Sequence, residues 1–181
     1  KLDKECFNGQ YSFNAEYVKK AIKYSIARNK GLRVVFDGEI YQSKSGLLGL
    51  LMDEINAEPL YEPIYLVGDG IEIAFTHVEE ATTKIVSFCN TRYTEYGGGH
   101  VVALEEVFPK YLISLSNIEQ PYKDVMQGLV CYFGINIMDP EFGPHHQLAT
   151  DVISKYDSDF NYVEGPKISN VLKNFLNNSC S

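Results

Sequence analysis

A strand-like run that passes through three consecutive glycines into a helical run is the feature that most limits the folds open to this chain. Residues 84–90 favour a strand, Gly97, Gly98 and Gly99 follow a short polar stretch, and residues 100–108 favour a helix. Glycines at such a junction let another group approach the backbone closely, and the start of a helix offers unpaired N–H groups to an anion. Two interpretations stay open: a phosphate cradle, or a tight turn alone, which is the commoner meaning of a glycine-rich loop.

The rest of the chain is a succession of helices and short strands. Asn14 and Ser45 are suitable N-caps for the first two helices, and Asp37-Gly38 favours a two-residue hairpin turn. Helices are predicted over 15–30, 46–56 and 167–177 with a helical turn over 121–126, and strands over 32–36, 39–42, 64–67, 71–76 and 129–138. Pro109 is expected to kink or restart the helix after the glycines. This order predicts an α/β fold of the α+β type, a sandwich built on a mixed sheet.

The composition excludes several classes of protein. The length of 181 residues fits one domain, and the net charge of −8 argues against a general nucleic-acid surface. There is no apolar run of about 18 residues and no leader sequence, so we expect a cytoplasmic protein without a membrane segment. The cysteines are scattered, and Cys89 and Cys131 lie in apolar strand-like runs, which indicates a reduced protein.

Candidate catalytic chemistry is sparse. No Walker A, G-x-G-x-x-G or G-x-S-x-G pattern occurs, and no catalytic residue is assigned. A nucleophilic pair of Cys89 and His100 is disfavoured, because a cysteine buried in a strand lacks the electropositive, exposed setting that a reactive thiolate needs.

His145 and His146 are adjacent in a polar loop, which is 139–166 in this prediction. They would bind a transition metal only with a third ligand, such as Asp139, Glu141 or Asp151. The alternative is an exposed polar loop, and no metal site is assigned.

The residues around the glycines also follow a recognisable pattern. Ser87, Phe88 and Asn90, and then Thr94, Gly97, Gly98 and His100, match Ser-Phe-Val-Asn, a variable stretch ending in Thr, and Gly-Gly-Thr-His. This pattern resembles the transducer domain of the B subunit of bacterial type IIA DNA topoisomerases, DNA gyrase and topoisomerase IV. Gly99 stands where that family has threonine.

The resemblance extends over residues 8–178, in the family's order. Residues 124–129 are similar to its Asp-Val-Arg-Glu-Gly-Leu, and Asp139-Pro140-Glu141-Phe142 is similar to its Asp-Pro-x-Phe. Residues 46–64 are similar to its Gly-Leu to Pro-Ile segment, and the helix ending at residues 29–31 also fits.

The resemblance implies a two-layer sandwich, with helices on one face of a mixed sheet, as in the second domain of a small-subunit ribosomal protein. It implies a single transducer domain over residues 1–181 that relays ATP binding and hydrolysis to DNA strand passage. Because the chain opens on Lys1, we expect a fragment that lacks the N-terminal ATP-binding domain of an ATP-dependent isomerase.

The implied cofactors and partners belong to the parent protein. They are ATP and Mg²⁺, the ATP-binding and metal-binding catalytic domains of the same polypeptide, the topoisomerase A subunit, and DNA. The fragment alone is expected to bind no cofactor, to be inactive and to be monomeric. In this resemblance Asn90, Thr94, Gly97, Gly98 and His100 are structural motif residues.

One departure concerns the loop that senses nucleotide in the family. The family carries Gln-Thr-Lys there, whereas this chain has His145, His146 and Gln147, and no lysine before Lys155. A neutral histidine does not supply the fixed charge of a lysine. Three alternatives stay open: Lys155 takes over, nucleotide is sensed differently, or phosphate sensing is lost. The last of these favours a second hypothesis, a stand-alone binding or scaffolding module with the same fold and no nucleotide role.

Overall fold

The computed structural model describes residues 14–68, 70–116, 121–143, 147–153, 155–156, 158, 162–163 and 165–179. Its helices are α1 (Ala15–Arg28), α2 (Gly46–Glu54), α3 (Gly99–Ser116), α4 (Tyr122–Met126) and α5 (Ile168–Asn178). Its strands are β1 (Arg33–Phe36), β2 (Glu39–Gln42), β3 (Ile64–Gly68), β4 (Ile71–His77), β5 (Lys84–Cys89), β6 (Arg92–Tyr93), β7 (Leu129–Ile135), β8 (Lys155–Tyr156) and β9 (Tyr162–Val163).

A mixed sheet of five strands, in the order β3-β4-β7-β5-β6, forms the centre of the molecule. β4 and β7 are antiparallel from Ile71↔Ile135 to His77↔Leu129, whereas β5 and β7 are parallel. Parallel neighbours need a long crossover connection, and α3 and α4 lie within the connection from β5 to β7. The predicted α+β class and mixed sheet are therefore confirmed.

Helices cover both faces of the sheet, so the expected two-layer sandwich with helices on one face is wrong. One face packs against α3 and α5, and the opposite face packs against α1 and α2. The cause is β7, every residue of which is buried: Cys131 and Phe133 belong to the first core, and Val130 and Tyr132 to the second. A strand apolar on both faces requires a layer on each side.

The predicted restart of the helix at Pro109 does not occur, because α3 runs from Gly99 to Ser116 as one helix. A proline inside a helix removes one backbone hydrogen bond and costs about 3 kcal/mol. Residues on both sides of Pro109 offset this cost: Phe108 is fully buried, and Tyr111 and Leu112 are largely buried in the core shared with α5. Tertiary packing therefore outweighs the local preference.

The first two helices begin in different ways. Asn14 caps α1 as predicted, since its Oδ1 accepts hydrogen bonds from the N–H groups of Glu16 and Tyr17. Ser45 makes no side-chain cap for α2. Instead the Oγ of Ser43 accepts the N–H of Gly46 at 3.1 Å, so Ser45 holds the predicted N-cap position without capping through its side chain.

A buried ion pair connects α1 to the sheet. The Nη1 of Arg28 lies 2.7 Å from Oε2 of Glu72, and the two side chains are 4% and 11% exposed. The Oε1 of Glu72 accepts the N–H of Leu47 at 2.9 Å and the hydroxyl of Tyr65. The guanidinium lies so close to Gly134 on β7 that a Cβ at this position would overlap it. Glu72 thus joins α1, α2, β3 and β4.

Replacing Glu72 with glutamine tests this ion pair. Glu72→Gln keeps an oxygen for the N–H of Leu47 but leaves the buried guanidinium without its counter-ion. We expect the free energy of unfolding to fall by about 3 kcal/mol, measured by chemical denaturation. The control is Lys30→Met, because Lys30 lies 3.8 Å from the same carboxylate but its side chain is 43% exposed. This control is expected to cost less than about 1 kcal/mol, and equal losses from both variants would contradict the interpretation.

Candidate functional site

The segment from the end of β5 to the start of α3 contains most of the predicted motif residues. Asn90 follows β5 with φ +55°, and the chain then forms the two-residue strand β6. Gly97 and Gly98 have φ values of +69° and +131°, a region that disfavours side chains, and α3 begins at Gly99. The strand β6 was missed by sequence analysis, since two residues are too few for a pattern.

Asn90 holds the end of β5 to the chain beyond β7. Its Nδ2 donates to the carbonyl of Ile137 at 3.0 Å, and its Oδ1 accepts the N–H of Ile137 at 2.8 Å. Its own carbonyl accepts the Nε of Arg28 at 2.9 Å. Asparagine tolerates the left-handed conformation better than most residues. These contacts give Asn90 a structural role.

Ser87, Thr94 and His100 form a buried polar cluster on the other side of the joint. The hydroxyl of Thr94 donates its one proton to the carbonyl of Ser87 at 2.9 Å. The same hydroxyl oxygen lies 2.6 Å from the Oγ of Ser87 and 3.1 Å from the Nε2 of His100, both within hydrogen-bond distance.

His100 is a buried histidine that is neutral near pH 7. It is fully buried, its ring lies 5.6 Å from that of Phe133, and its Nδ1 has no hydrogen-bond partner within the described residues. Burial lowers the pKa of His100 from 6.5 to about 4. Burial likewise raises the pKa of the Cys89 thiol to about 11, so neither residue is poised for nucleophilic chemistry.

The three glycines lie against residues 148–151, the segment that follows the loop after β7. The N–H of Gly99 donates to the carbonyl of Leu148 at 2.8 Å, and the N–H of Leu148 donates to the carbonyl of Gly97 at 3.0 Å. A Cβ on Gly98 would overlap the backbone of Leu148, and one on Gly99 would lie 2.7 Å from the carbonyl oxygen of Thr150. The glycines therefore permit close approach, but to protein backbone.

The backbone hydrogen bonds at the start of α3 argue against a phosphate cradle. The N–H groups of Val101 and Val102 both donate to the carbonyl of Gly98, and that of Gly99 is engaged by Leu148. Because these three N–H groups of the first turn have protein partners, the tight joint is the interpretation that the structure supports.

At the base of the loop that follows β7, residues 141–143 are hydrogen-bonded to residues 147–149. Phe142 forms a bridge with Leu148, and the N–H of Ala149 donates to the carbonyl of Glu141 at 2.8 Å. The N–H of Gly143 donates to the carbonyl of Gln147 at 2.9 Å. Gln147 is exposed, whereas His145 and His146 lie outside the described residues. Of the three predicted nucleotide-sensing residues, Gln147 therefore lies in this hydrogen-bonded base.

Among the residues that the structure describes, no three His, Cys, Asp or Glu side chains are grouped so as to hold a metal ion. None of the helices within those residues has the length and apolar character needed to cross a bilayer.

Sequence comparison decides the family. A family model described as DNA gyrase B matches residues 41–144, more than half of the chain. The chain belongs to the DNA gyrase B family. The match includes the whole joint from Ser87 to His100 and ends at residue 144.

Individual relatives agree with this assignment. The B subunit of DNA topoisomerase 4 from Borreliella burgdorferi is 32% identical over 141 residues, which are 77% of this chain and 23% of that protein. The chain therefore spans about a quarter of the length of this curated relative.

Solved structures of this family and of topoisomerase II share the fold. The 43K ATPase domain of Thermus thermophilus gyrase B aligns with a TM-score of 0.68 at 20% identity, over 98% of this chain and 52% of that one. The ATPase and transducer domains of DNA topoisomerase II from Balamuthia mandrillaris align with a TM-score of 0.62 at 19% identity, over 94% and 45%. The resemblance to type IIA topoisomerase B subunits is confirmed.

The buried histidine predicts a pH dependence of stability. The pKa of His100 is about 4 in the folded chain and 6.5 ordinarily, so below pH 6.5 the unfolded chain binds the proton first. Stability contributed by neutral His100 is therefore complete above pH 6.5 and is lost as the pH falls to 4, by about 3 kcal/mol.

Chemical denaturation of wild type and of His100→Gln at intervals between pH 7 and pH 4 measures this loss of stability. The variant cannot be protonated, so we expect its stability to fall less steeply, and the difference between the two curves isolates His100 from other groups. Parallel curves would show that His100 titrates alike in both states.

Proposed function

We propose that this chain is the transducer domain of a type IIA DNA topoisomerase B subunit. In this role it relays ATP binding and hydrolysis in a preceding domain to the passage of one DNA duplex through another. The observation that carries the proposal is the correspondence of nearly the whole chain to about half of a chain described as an ATPase domain and of another described as ATPase and transducer domains. The remaining half of those chains is available for the nucleotide site.

The chemistry of the described residues supports a relay and not a reaction. The polar side chains buried at the joint bond one another and the backbone, and the imidazole is neutral and enclosed. The net charge of −8 suits a domain that transmits motion better than one that grips DNA. ATP and Mg²⁺ would be held by the ATP-binding domain of the same polypeptide, and its other partners would be the metal-binding catalytic domain, the A subunit and DNA.

We place the nucleotide side of the relay at His145, His146 and Gln147, the positions that replace the family's Gln-Thr-Lys. The support is local: Gln147 is exposed, and its carbonyl fixes the base of the loop through Gly143. When nucleotide contacts the Gln147 side chain, the displacement passes to the rest of the domain, because the hydrogen bonds of residues 141–143 with residues 147–149 keep the loop base from deforming separately.

Gln147→Ala in the full-length protein, assembled with its A subunit, tests this role. We expect ATP-dependent decatenation to fall more than ATP hydrolysis, so that fewer duplexes pass per ATP consumed. The control is Gln42→Ala, another exposed glutamine, which lies on β2 and is expected to leave this ratio unchanged.

Two measurements would overturn the proposal. The isolated chain is expected to hydrolyse no ATP, and substantial turnover by it would contradict a relay role. A full-length protein that performs no ATP-dependent strand passage would favour the scaffolding alternative.

A further inference from the structure

The segment 148–151 is hydrogen-bonded to the first residue of α3 and to the first residue of α5. The carbonyl of Leu148 accepts the N–H of Gly99, where α3 begins, at 2.8 Å. Three residues later, the carbonyl of Asp151 accepts the N–H of Ile168, where α5 begins, also at 2.8 Å. The bridge between Val152 and Lys167 extends the second contact. The segment 148–151 is therefore shared by two helix starts.

The two helices pack on each other as well as on the segment. Leu104 and Phe108 of α3 and Leu172 and Leu176 of α5 are essentially inaccessible and belong to one core. Leu148 is 2% exposed and lies in the same core. Because close-packed elements do not deform continuously, a displacement of the segment displaces both helices.

The contact between the segment 148–151 and the start of α3 depends on two residues that have no side chain, Gly98 and Gly99. At Gly98 the φ of +131° and the overlap with Leu148 act together. Gly99 has an ordinary φ, so only the 2.7 Å approach of the Thr150 carbonyl oxygen excludes a Cβ there. Gly143 in the same loop provides the contrast, because a Cβ there meets nothing within 4 Å among the described residues.

We infer that residues 148–151 are the mechanical link of the relay, and that Gly98 and Gly99 are positioning residues that let this link hold α3 and α5 together by their first N–H groups. The inference rests on the proposed function, since it states how motion at the loop closed by Gly143 and Gln147 reaches the helices. The loop base continues directly into the link through Leu148 and Ala149.

Amide hydrogen exchange of the purified chain tests the link without nucleotide or DNA. Gly99→Ala pushes the Thr150 carbonyl away, and we expect the amides of both Leu148 and Ile168 to exchange about fivefold faster or more. Gly143→Ala is the matched control and is expected to leave both amides within about twofold of wild type. Faster exchange at Leu148 with no change at Ile168 would overturn the inference, since the link would not reach α5.

A second variant approaches the link from the other end, in case Gly99→Ala does not fold. Ile168→Pro removes the N–H that bonds Asp151 at a position where a helix tolerates proline. The preceding Lys167 already has φ −58° and ψ 144°, as proline requires of its neighbour. We expect the Leu148 and Gly99 amides to exchange faster in Ile168→Pro than in Ile168→Val, which keeps the N–H. Equal exchange in these two variants would overturn the inference.

The assembled enzyme separates this inference from the proposed function. Where exchange shows the link, Gly99→Ala in the full-length protein should pass fewer duplexes per ATP than Gln42→Ala, the exposed control on β2. A wild-type enzyme without ATP-dependent passage would refute the relay and leave the exchange result standing. Normal passage per ATP in Gly99→Ala, despite a loosened link, would overturn the link's role in the relay.

Discussion

The Arg28 guanidinium is the group on which the arrangement of the domain depends. It bonds Glu72 on β4, the carbonyl of Asn90 after β5 and the Oδ1 of Asn136 after β7, at 2.7 to 2.9 Å. It therefore fixes α1 against three chain segments at the same end of the sheet. Burial lowers the pKa of Arg28 and Glu72 opposes that change, so the charge is kept by its partner. Gly134 provides the room that this arrangement requires.

The sequence predicted the local elements well, because their signals lie within a few residues. The hairpin turn at Asp37-Gly38, the Asn14 cap and the strand before the glycines all follow from short patterns. Long-range contacts overrode the local signals elsewhere. Pro109 is tolerated because the helix around it is buried, and the second helical layer follows from a strand that is apolar on both faces.

The candidate site was predictable in its residues but not in its contacts. The motif from Ser87 to His100 identified the family, and its members do lie together at one joint. No local pattern shows that Leu148 and Thr150 would lie against Gly98 and Gly99, since these residues are separated by two helices and a strand. The space beside Gly99 is taken by the backbone of Thr150 and Asp151, in the segment that follows Gln147.

The central position of β7 also has a consequence for synthesis on the ribosome. β7 lies between β4 and β5, so the β3–β4 hairpin and the β5–β6 pair have no strand in common until residues 129–135 have been made. Sheets closed by distant strands fold slowly, because a long loop must be ordered before its contacts form. Until then β4 and β5 each lack a neighbouring strand on the side that β7 later occupies, and a nascent chain with such unpaired strand edges is prone to aggregate. The strand that unites the finished domain thus also closes the edges at which its nascent chain can pair wrongly.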